Sequence, residues 1–208
     1  MKLVNGSVEK YVYRLLPKRD AVLSEMEAYA RRHHVPIIGP AVARMLAQLV
    51  HISGSRRIFE MGSAIGYSTI WLARAAGPKA EVFYTDGSPE NALRAQKHFR
   101  RAGVSARIRV LVGDALKLLA ETPGEFDLIF NDVDKHQYPA VFRLAVPRIR
   151  RGGLFITDNT LWSGRVTRRA TDRDTRGVQQ FNRLVYSSRQ VFPVLLPLRD
   201  GVTVCHKL

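Results

Sequence analysis

Ile58-Phe59-Glu60-Met61-Gly62-Ser63-Ala64-Ile65-Gly66-Tyr67-Ser68 begins as a short apolar strand, stops at a glycine and resumes as a helix. A glycine directly after a buried strand permits a tight turn and a close approach of ligand to backbone. The two glycines are spaced Gly-x-x-x-Gly rather than Gly-x-Gly-x-x-Gly. The missing middle glycine counts against a pyrophosphate cradle, and so against a nicotinamide dinucleotide.

Downstream, short apolar runs alternate with helical stretches. Strands are expected at Ile58–Met61, Glu81–Thr85, Ile108–Val112, Phe126–Phe130 and Leu154–Thr157, with helices near Tyr67–Ala76, Pro89–Ala102, Ala115–Ala120 and Tyr138–Ile149. That alternation argues for a parallel sheet covered by helices on both faces. Val191–Leu196 and Val202–His206 flank Arg199-Asp200-Gly201, where Asp-Gly signals a hairpin turn. The expected fold is α/β: a mostly parallel seven-stranded sheet closed by a C-terminal antiparallel hairpin. This layout resembles the Rossmann-like fold of S-adenosylmethionine (SAM) methyltransferases.

Upstream, the first fifty residues read as helical throughout. Glu9 to Leu16 stops near Pro17. Asp20 to Arg32 carries Val22, Leu23, Met26 and Tyr29 at helical spacing, and Pro40 opens a third helix with Val42, Met45, Leu46 and Leu49 as its apolar face. Residues 1–208 are therefore expected to form one domain, with a helical segment over 1–50 and an α/β core over 51–208.

Hydrophobic residues at 46% and charged residues at 25% are ordinary for a globular chain. There is no run of about 18 apolar residues to span a membrane. Met1 to Lys10 lacks the apolar core of a secretion signal. Cys205 is the only cysteine, which excludes an internal disulfide and a cysteine metal cluster. A cytoplasmic enzyme is expected. The formal charge of +15 would attract polyanions, nucleic acid above all; the alternative is a generally basic, solvated surface. Arg165, Arg168, Arg169, Arg173 and Arg176 are candidates for phosphate contacts, or else belong to a mobile solvated loop.

The residues at the strand ends carry the chemistry. Asp86, at the tip of the second strand, can accept hydrogen bonds from both hydroxyls of a ribose, or can cap the following helix. Gly113-Asp114-Ala115 occupies the same edge and can border an adenine ring. Asn131-Asp132-Val133-Asp134-Lys135 and Asp158-Asn159 end two strands expected to be neighbours, about 4.8 Å apart. Asp132, Asp158 and Asn159 would then present three oxygens, an incomplete shell that suits Mg²⁺, with Mn²⁺ or Ca²⁺ as alternatives. Asp134, beside the helix after it, reads as a helix cap or an acceptor for loop amides. Lys135, close to a cation, is a candidate base for a substrate hydroxyl.

Phe59 to Ser68, Asp132-Val133-Asp134-Lys135-His136-Gln137-Tyr138, Asp158-Asn159-Thr160-Leu161-Trp162-Ser163-Gly164 and Leu198-Arg199-Asp200-Gly201-Val202-Thr203-Val204-Cys205 together resemble the cation-dependent O-methyltransferases, the catechol and caffeoyl-CoA family. The similarity runs from about Pro36 to Leu208. The family usually has an apolar residue where Asn131 stands. The resemblance implies that Asp132, Asp158 and Asn159 bind Mg²⁺, that Lys135 is the general base, and that Ile38, Glu60, Gly62, Ser68, Asp86, Ala115 and Asp132 contact SAM. It implies in-line displacement at the sulfonium methyl. Trp162 would border the acceptor pocket, or pack as a core tryptophan. The acceptor is expected to be a small catechol-like or hydroxylated aromatic molecule. Tyr13-Arg14-Leu15-Leu16-Pro17 and His34-Val35-Pro36-Ile37 resemble bacterial members, including methyltransferases of 5-hydroxyuridine in tRNA, so tRNA is the rival acceptor. A non-catalytic nucleic-acid-binding module is the reading from a different class. Relatives are often dimers, and the N-terminal helices are a candidate interface.

Overall fold

A computed structural model describes residues 6–208; the reading of residues 1–5 as part of a helical segment lies outside the described residues. The elements run α1 (Gly6–Leu15), α2 (Ala21–His33), α3 (Gly39–Ser53), β1 (Arg57–Met61), α4 (Tyr67–Ala76), β2 (Glu81–Asp86), α5 (Pro89–Arg101), β3 (Ile108–Val112), α6 (Ala115–Glu121), β4 (Phe126–Asn131), α7 (Tyr138–Ala145), β5 (Ile149–Thr157), α8 (Arg173–Ser187), β6 (Val191–Leu196) and β7 (Val202–Lys207).

The strands form one sheet in the order β3-β2-β1-β4-β5-β7-β6. β1 to β5 are parallel, and β7 runs antiparallel to both β5 and β6. This is the SAM methyltransferase fold expected from the strand pattern. Side chains alternate between two apolar cores. Ile58, Val82, Tyr84, Leu128 and Phe130 meet α3, α4 and α5 on one face, while Phe59, Phe83, Ile129 and Phe155 meet α7 and α8 on the other. Both faces are buried, so the strands read as nearly continuous apolar runs.

Local chemistry sets the helix ends. Asp20 accepts from the Leu23 amide at 2.9 Å and caps α2, and His34 ends it in the left-handed region at φ 54°. Pro40 sits in the first turn of α3, whose buried face includes Val42, Leu46 and Val50. Ser88 caps α5, and Asp114 caps α6 through the Leu116 and Lys117 amides.

Two sequence expectations need correction. The helix expected to reach Ile149 ends at Ala145; a 3₁₀ turn at Val146–Arg148 follows, and β5 already begins at Ile149. Pro147 breaks the helical run, and Ile149 pairs with Phe126 in the sheet. In the stretch read as an arginine-rich loop, Arg165 lies in a 3₁₀ turn at Trp162–Thr167 and Arg173 and Arg176 in α8, while Arg168 and Arg169 stay in the loop between them. Arg173 and Arg176 lie on the exposed side of α8. Asp172 caps the helix through the Thr175 amide and also pairs with Arg165 at 2.6 Å. Val178, Phe181 and Val185 are fully buried, each worth about 1.5–3 kcal/mol. Their spacing was the available signal, masked by the surrounding charge.

Candidate active site

The sheet order reverses between β1 and β4, and in such sheets the crevice at the strands' carboxyl ends takes the ligand. Here the strand ends are tied to one another. The Ser63 amide donates to the Thr85 carbonyl, Gly113 to Asp86, Asp132 to Met61 and Asp158 to Asn131, at 2.8–3.1 Å. Gly62 stands at this edge with φ 82°, and a Cβ there would lie 2.6 Å from the Asp132 carbonyl oxygen. Only glycine lets the first loop pass so close to the fourth. Above the edge is a cavity of about 430 Å³ lined by Gly62, Ala64, Asp86, Gly113, Asp114 and Ala115 at one end, and by Asp132, Lys135, Asp158, Asn159 and Arg199 at the other.

At the first end, Asp86 holds two loops: its carboxylate accepts from the Ala64 amide at 2.9 Å, from the Ser88 amide at 2.9 Å and from Asn91 Nδ2 at 3.0 Å. Ser88, not Asp86, caps α5. Of the residues implied by the family resemblance, Gly62, Asp86, Ala115 and Asp132 line the cavity, while Ile38, Glu60, Ser68 and Trp162 do not. Ile38 is 3% exposed, and Pro36 and Ile37 take its place in the wall. Glu60 is fully buried; Thr69 Oγ1 donates to its Oε2, and Oε1 has no partner among the described residues. Burial pushes its carboxyl up to about 7, against the hydroxyls of Ser68, Thr69 and Ser63.

At the other end, Asn131 pairs with Thr157 across β4 and β5, so the next residues, Asp132 and Asp158, stand side by side. Asp158 is 1% exposed, and its Oδ1 has no hydrogen-bond partner among the described residues. Burial, and then the charge of Asp132, push its carboxyl up to about 7. The Asp132 carboxyl is also raised by burial, against the pull of Lys135. Two acids crowded together, one of them out of water with an orphaned oxygen, call for a positive charge between them. Lys135 supplies part of it: its Nζ donates to Asp132 Oδ1 at 2.9 Å and to the Val133 carbonyl at 3.2 Å. Asn159, at φ 57°, adds an amide to the same wall. The donor set fits a hard divalent cation with open positions. Among the described residues no group of three or more His, Cys, Asp or Glu is gathered to hold a metal.

The remaining positions are settled by packing. Asp134 does not cap with its side chain; the turn at Lys135–Gln137 has no side-chain cap. Asn131 is fully buried and reaches Thr157 Oγ1 only at 3.5 Å, so it does not enter the cavity. Trp162 packs against the α7–α8 core at φ 46°, with its ring 5.8 Å from Lys135 Nζ. By sequence Arg199 belongs only to the hairpin turn. Its φ of 53° puts a long side chain where glycine is the usual residue, a feature invisible without backbone angles.

A sheet of this order with ligand-type residues at these tips defines the SAM methyltransferase class. The sequence profile of the O-methyltransferase family matches residues 18–208. The chain is 31% identical to a catechol O-methyltransferase of Niastella koreensis, over 92% of this chain and 90% of that one. Among solved structures it superposes on an O-methyltransferase from Bacillus cereus in complex with S-adenosylhomocysteine, with a TM-score of 0.88, 31% identity and 97% of each chain covered. It also superposes on TomG from Streptomyces achromogenes, an O-methyltransferase involved in tomaymycin synthesis, in complex with SAM, with a TM-score of 0.88 and 29% identity over 97% of this chain and 96% of that one. This chain belongs to the O-methyltransferase family, in its catechol and caffeoyl-CoA branch.

Proposed function

We propose that the chain is a SAM-dependent, divalent-cation-dependent O-methyltransferase acting on a hydroxyl of a small catechol-like or hydroxylated aromatic molecule. The observation that carries this is the pair Asp132 and Asp158, side by side with the buried Asp158 leaving an oxygen unpartnered, in the cavity that Asp86 and Ala115 share. When bound, SAM supplies an electrophilic methyl group, and Mg²⁺ (or Mn²⁺ or Ca²⁺) acidifies and orients the acceptor oxygen.

The chain's own groups divide the remaining work. Gly62 gives the donor close access to backbone, Asp86 accepts from its ribose, and Ala115 borders its adenine. Ile38, Glu60 and Ser68 support that wall from behind. Asp132, Asp158 and Asn159 hold the cation, with Asp132 also facing the donor. Lys135 Nζ, once it has given up its own ammonium proton to solvent, would take the acceptor's hydroxyl proton, and Trp162 backs Lys135 from the α8 side. Fixing acceptor and donor in line converts an encounter between two molecules into a single positioned displacement.

The name of the Niastella koreensis relative supports a small aromatic acceptor. No observation favours tRNA over it: Arg165 is paired with Asp172. We further propose that the chain works as one domain in the cytoplasm, in line with its lone buried Cys205. No helix among the described residues is long and apolar enough to cross a membrane. A homodimer through α1 completes the proposal. None of that helix's residues is buried, and Val8, Tyr11, Val12 and Leu15 form an exposed apolar stripe.

The test is methyl transfer from labelled SAM to a catechol panel and to bulk tRNA, with Mg²⁺ and with EDTA. Transfer to catechols that EDTA abolishes is expected. Transfer that survives EDTA removes the cation from the reading, and transfer to tRNA alone removes the small acceptor.

A further inference from the structure

Beside the catalytic cavity lies a second one of about 360 Å³, between α1, α2 and the start of α3, and the two share Pro36, Ile37 and Arg199. Their charges are opposite. The first is lined by Asp86, Asp114, Asp132, Asp134 and Asp158 against Lys135 and Arg199, a balance suited to a cation and a sulfonium. The second is lined by Arg19, Arg31 and Arg199 against Glu27 alone. Glu27 is already occupied: Arg19 grips it at 2.8 and 3.0 Å, and the Tyr67 hydroxyl donates to it at 2.7 Å. Arg31 and Arg199 are exposed and form no ion pair among the described residues, although Arg199 also acts electrostatically on Asp132 and Asp158 in the first cavity.

Arg199 is built to serve both spaces. Its backbone holds φ 53°, a conformation that L residues adopt at a cost and that persists where the surroundings require it. Nη1 donates to the Ile37 carbonyl at 2.7 Å, which fixes the guanidinium on the shared wall. The Nε–Nη2 edge makes no hydrogen bond among the described residues. That free edge is a planar two-donor fork, the geometry that meets a carboxylate with two parallel hydrogen bonds.

The geometry points to Arg199, with Arg31 behind it, as the specificity determinant for acceptors that carry a carboxylate. The aromatic diol lies at Asp132, Asp158 and Lys135 while its carboxylate arm enters the basic chamber. This inference rests on the methyl-transfer reading above and adds the acceptor's class. A catechol bearing an ammonium is disfavoured by the same charges.

The test compares 3,4-dihydroxyphenylacetate with 3,4-dihydroxyphenylacetamide as acceptors, with SAM and Mg²⁺. The two have the same diol and shape, and the methylene keeps their phenols similarly acidic. The wild-type protein is expected to show a KM about tenfold lower for the acid, with similar kcat, as one charge-assisted contact provides. In Arg199→Gly the ratio of the two KM values falls toward one, and in Arg31→Met it falls part of the way. Glycine adopts φ 53° freely, so that variant keeps its fold. Calorimetric binding of both compounds, with S-adenosylhomocysteine and Mg²⁺ present, is expected to show the same preference and the same loss. Equal KM values in the wild-type protein, or an unchanged ratio in Arg199→Gly, overturn this inference while the methyl-transfer reading stands. Methylation of neither compound, when other catechols are methylated, also overturns it. Methylation of no catechol at all overturns both.

Discussion

Glu60 occupies a position on β1 where Ile58, two residues earlier on the same face, is apolar and fully buried. A carboxyl in such a place resists ionisation, and its pKa is about 7 against an ordinary 4.5. The unfolded chain ionises first as pH rises, so the folded state loses stability from about pH 4.5 to 7 and no further above it. The loss is about 3 kcal/mol for a shift of this size. Denaturant unfolding of the ligand-free protein across that range should show this decline, and Glu60→Gln should make it shallower, leaving the share of Asp158, whose carboxyl is also pushed up to about 7. A parallel decline in both proteins would exclude Glu60 as its source. Asp158 carries a different prediction. Asp158→Ala is expected to lower cation-dependent turnover by about a hundredfold or more, while SAM binding measured by calorimetry stays largely intact. Unchanged turnover would take Asp158 out of the site.

At the scale of elements, α8 matters more than its charged sequence suggests. It packs against the turn that carries Lys135, and Gly177 is the point of contact: a Cβ there would overlap the Lys135 carbonyl oxygen and lie 2.5 Å from His136 Cα. In an open helix, glycine to alanine gains about 1 kcal/mol. Here the collision with backbone should reverse the sign, for a net loss of about 1–3 kcal/mol, along with lower turnover as Lys135 shifts. Thermal unfolding of Gly177→Ala checks this; a raised Tm would show that the two elements are not in close contact. The five parallel strands were legible in the sequence because each contains a short, mostly apolar run set between helical stretches. α8 was not, because Arg173, Asp174 and Arg176 surround its first turn and the large apolar side chains of its buried face are only Val178, Phe181 and Val185.

For the whole molecule, the proposed dimer rests on α1, which packs on the rest of the chain chiefly through α3 and leaves Tyr11 56% and Leu15 65% exposed. A stripe of that kind on a stable protein marks a contact surface. Sedimentation of the wild-type protein should give a dimer, and Val12→Glu with Leu15→Glu should give a monomer that keeps its SAM affinity. A monomeric wild-type protein would end that proposal. The net charge of +15 is distributed over the outside of the molecule, and within the clefts it divides into an acid-rich cavity and a basic neighbour.

Strand positions, the closing hairpin and the oxygen-bearing tips were determined by the sequence, because alternation, Asp-Gly chemistry and acids after apolar runs are all local signals, whereas the strand order came only with the fold. The tertiary structure alone decided what those residues face. Side chains far apart in the chain, such as Tyr13, Arg31 and Arg199, come to line one chamber only when α1 and α2 fold over the hairpin. Backbone angle is equally hidden, since nothing in the letters Arg199-Asp200-Gly201 states which residue must turn left-handed. Burial decides charge state in the same way: Glu60 and Asp158 are ordinary carboxylates until packing removes their water.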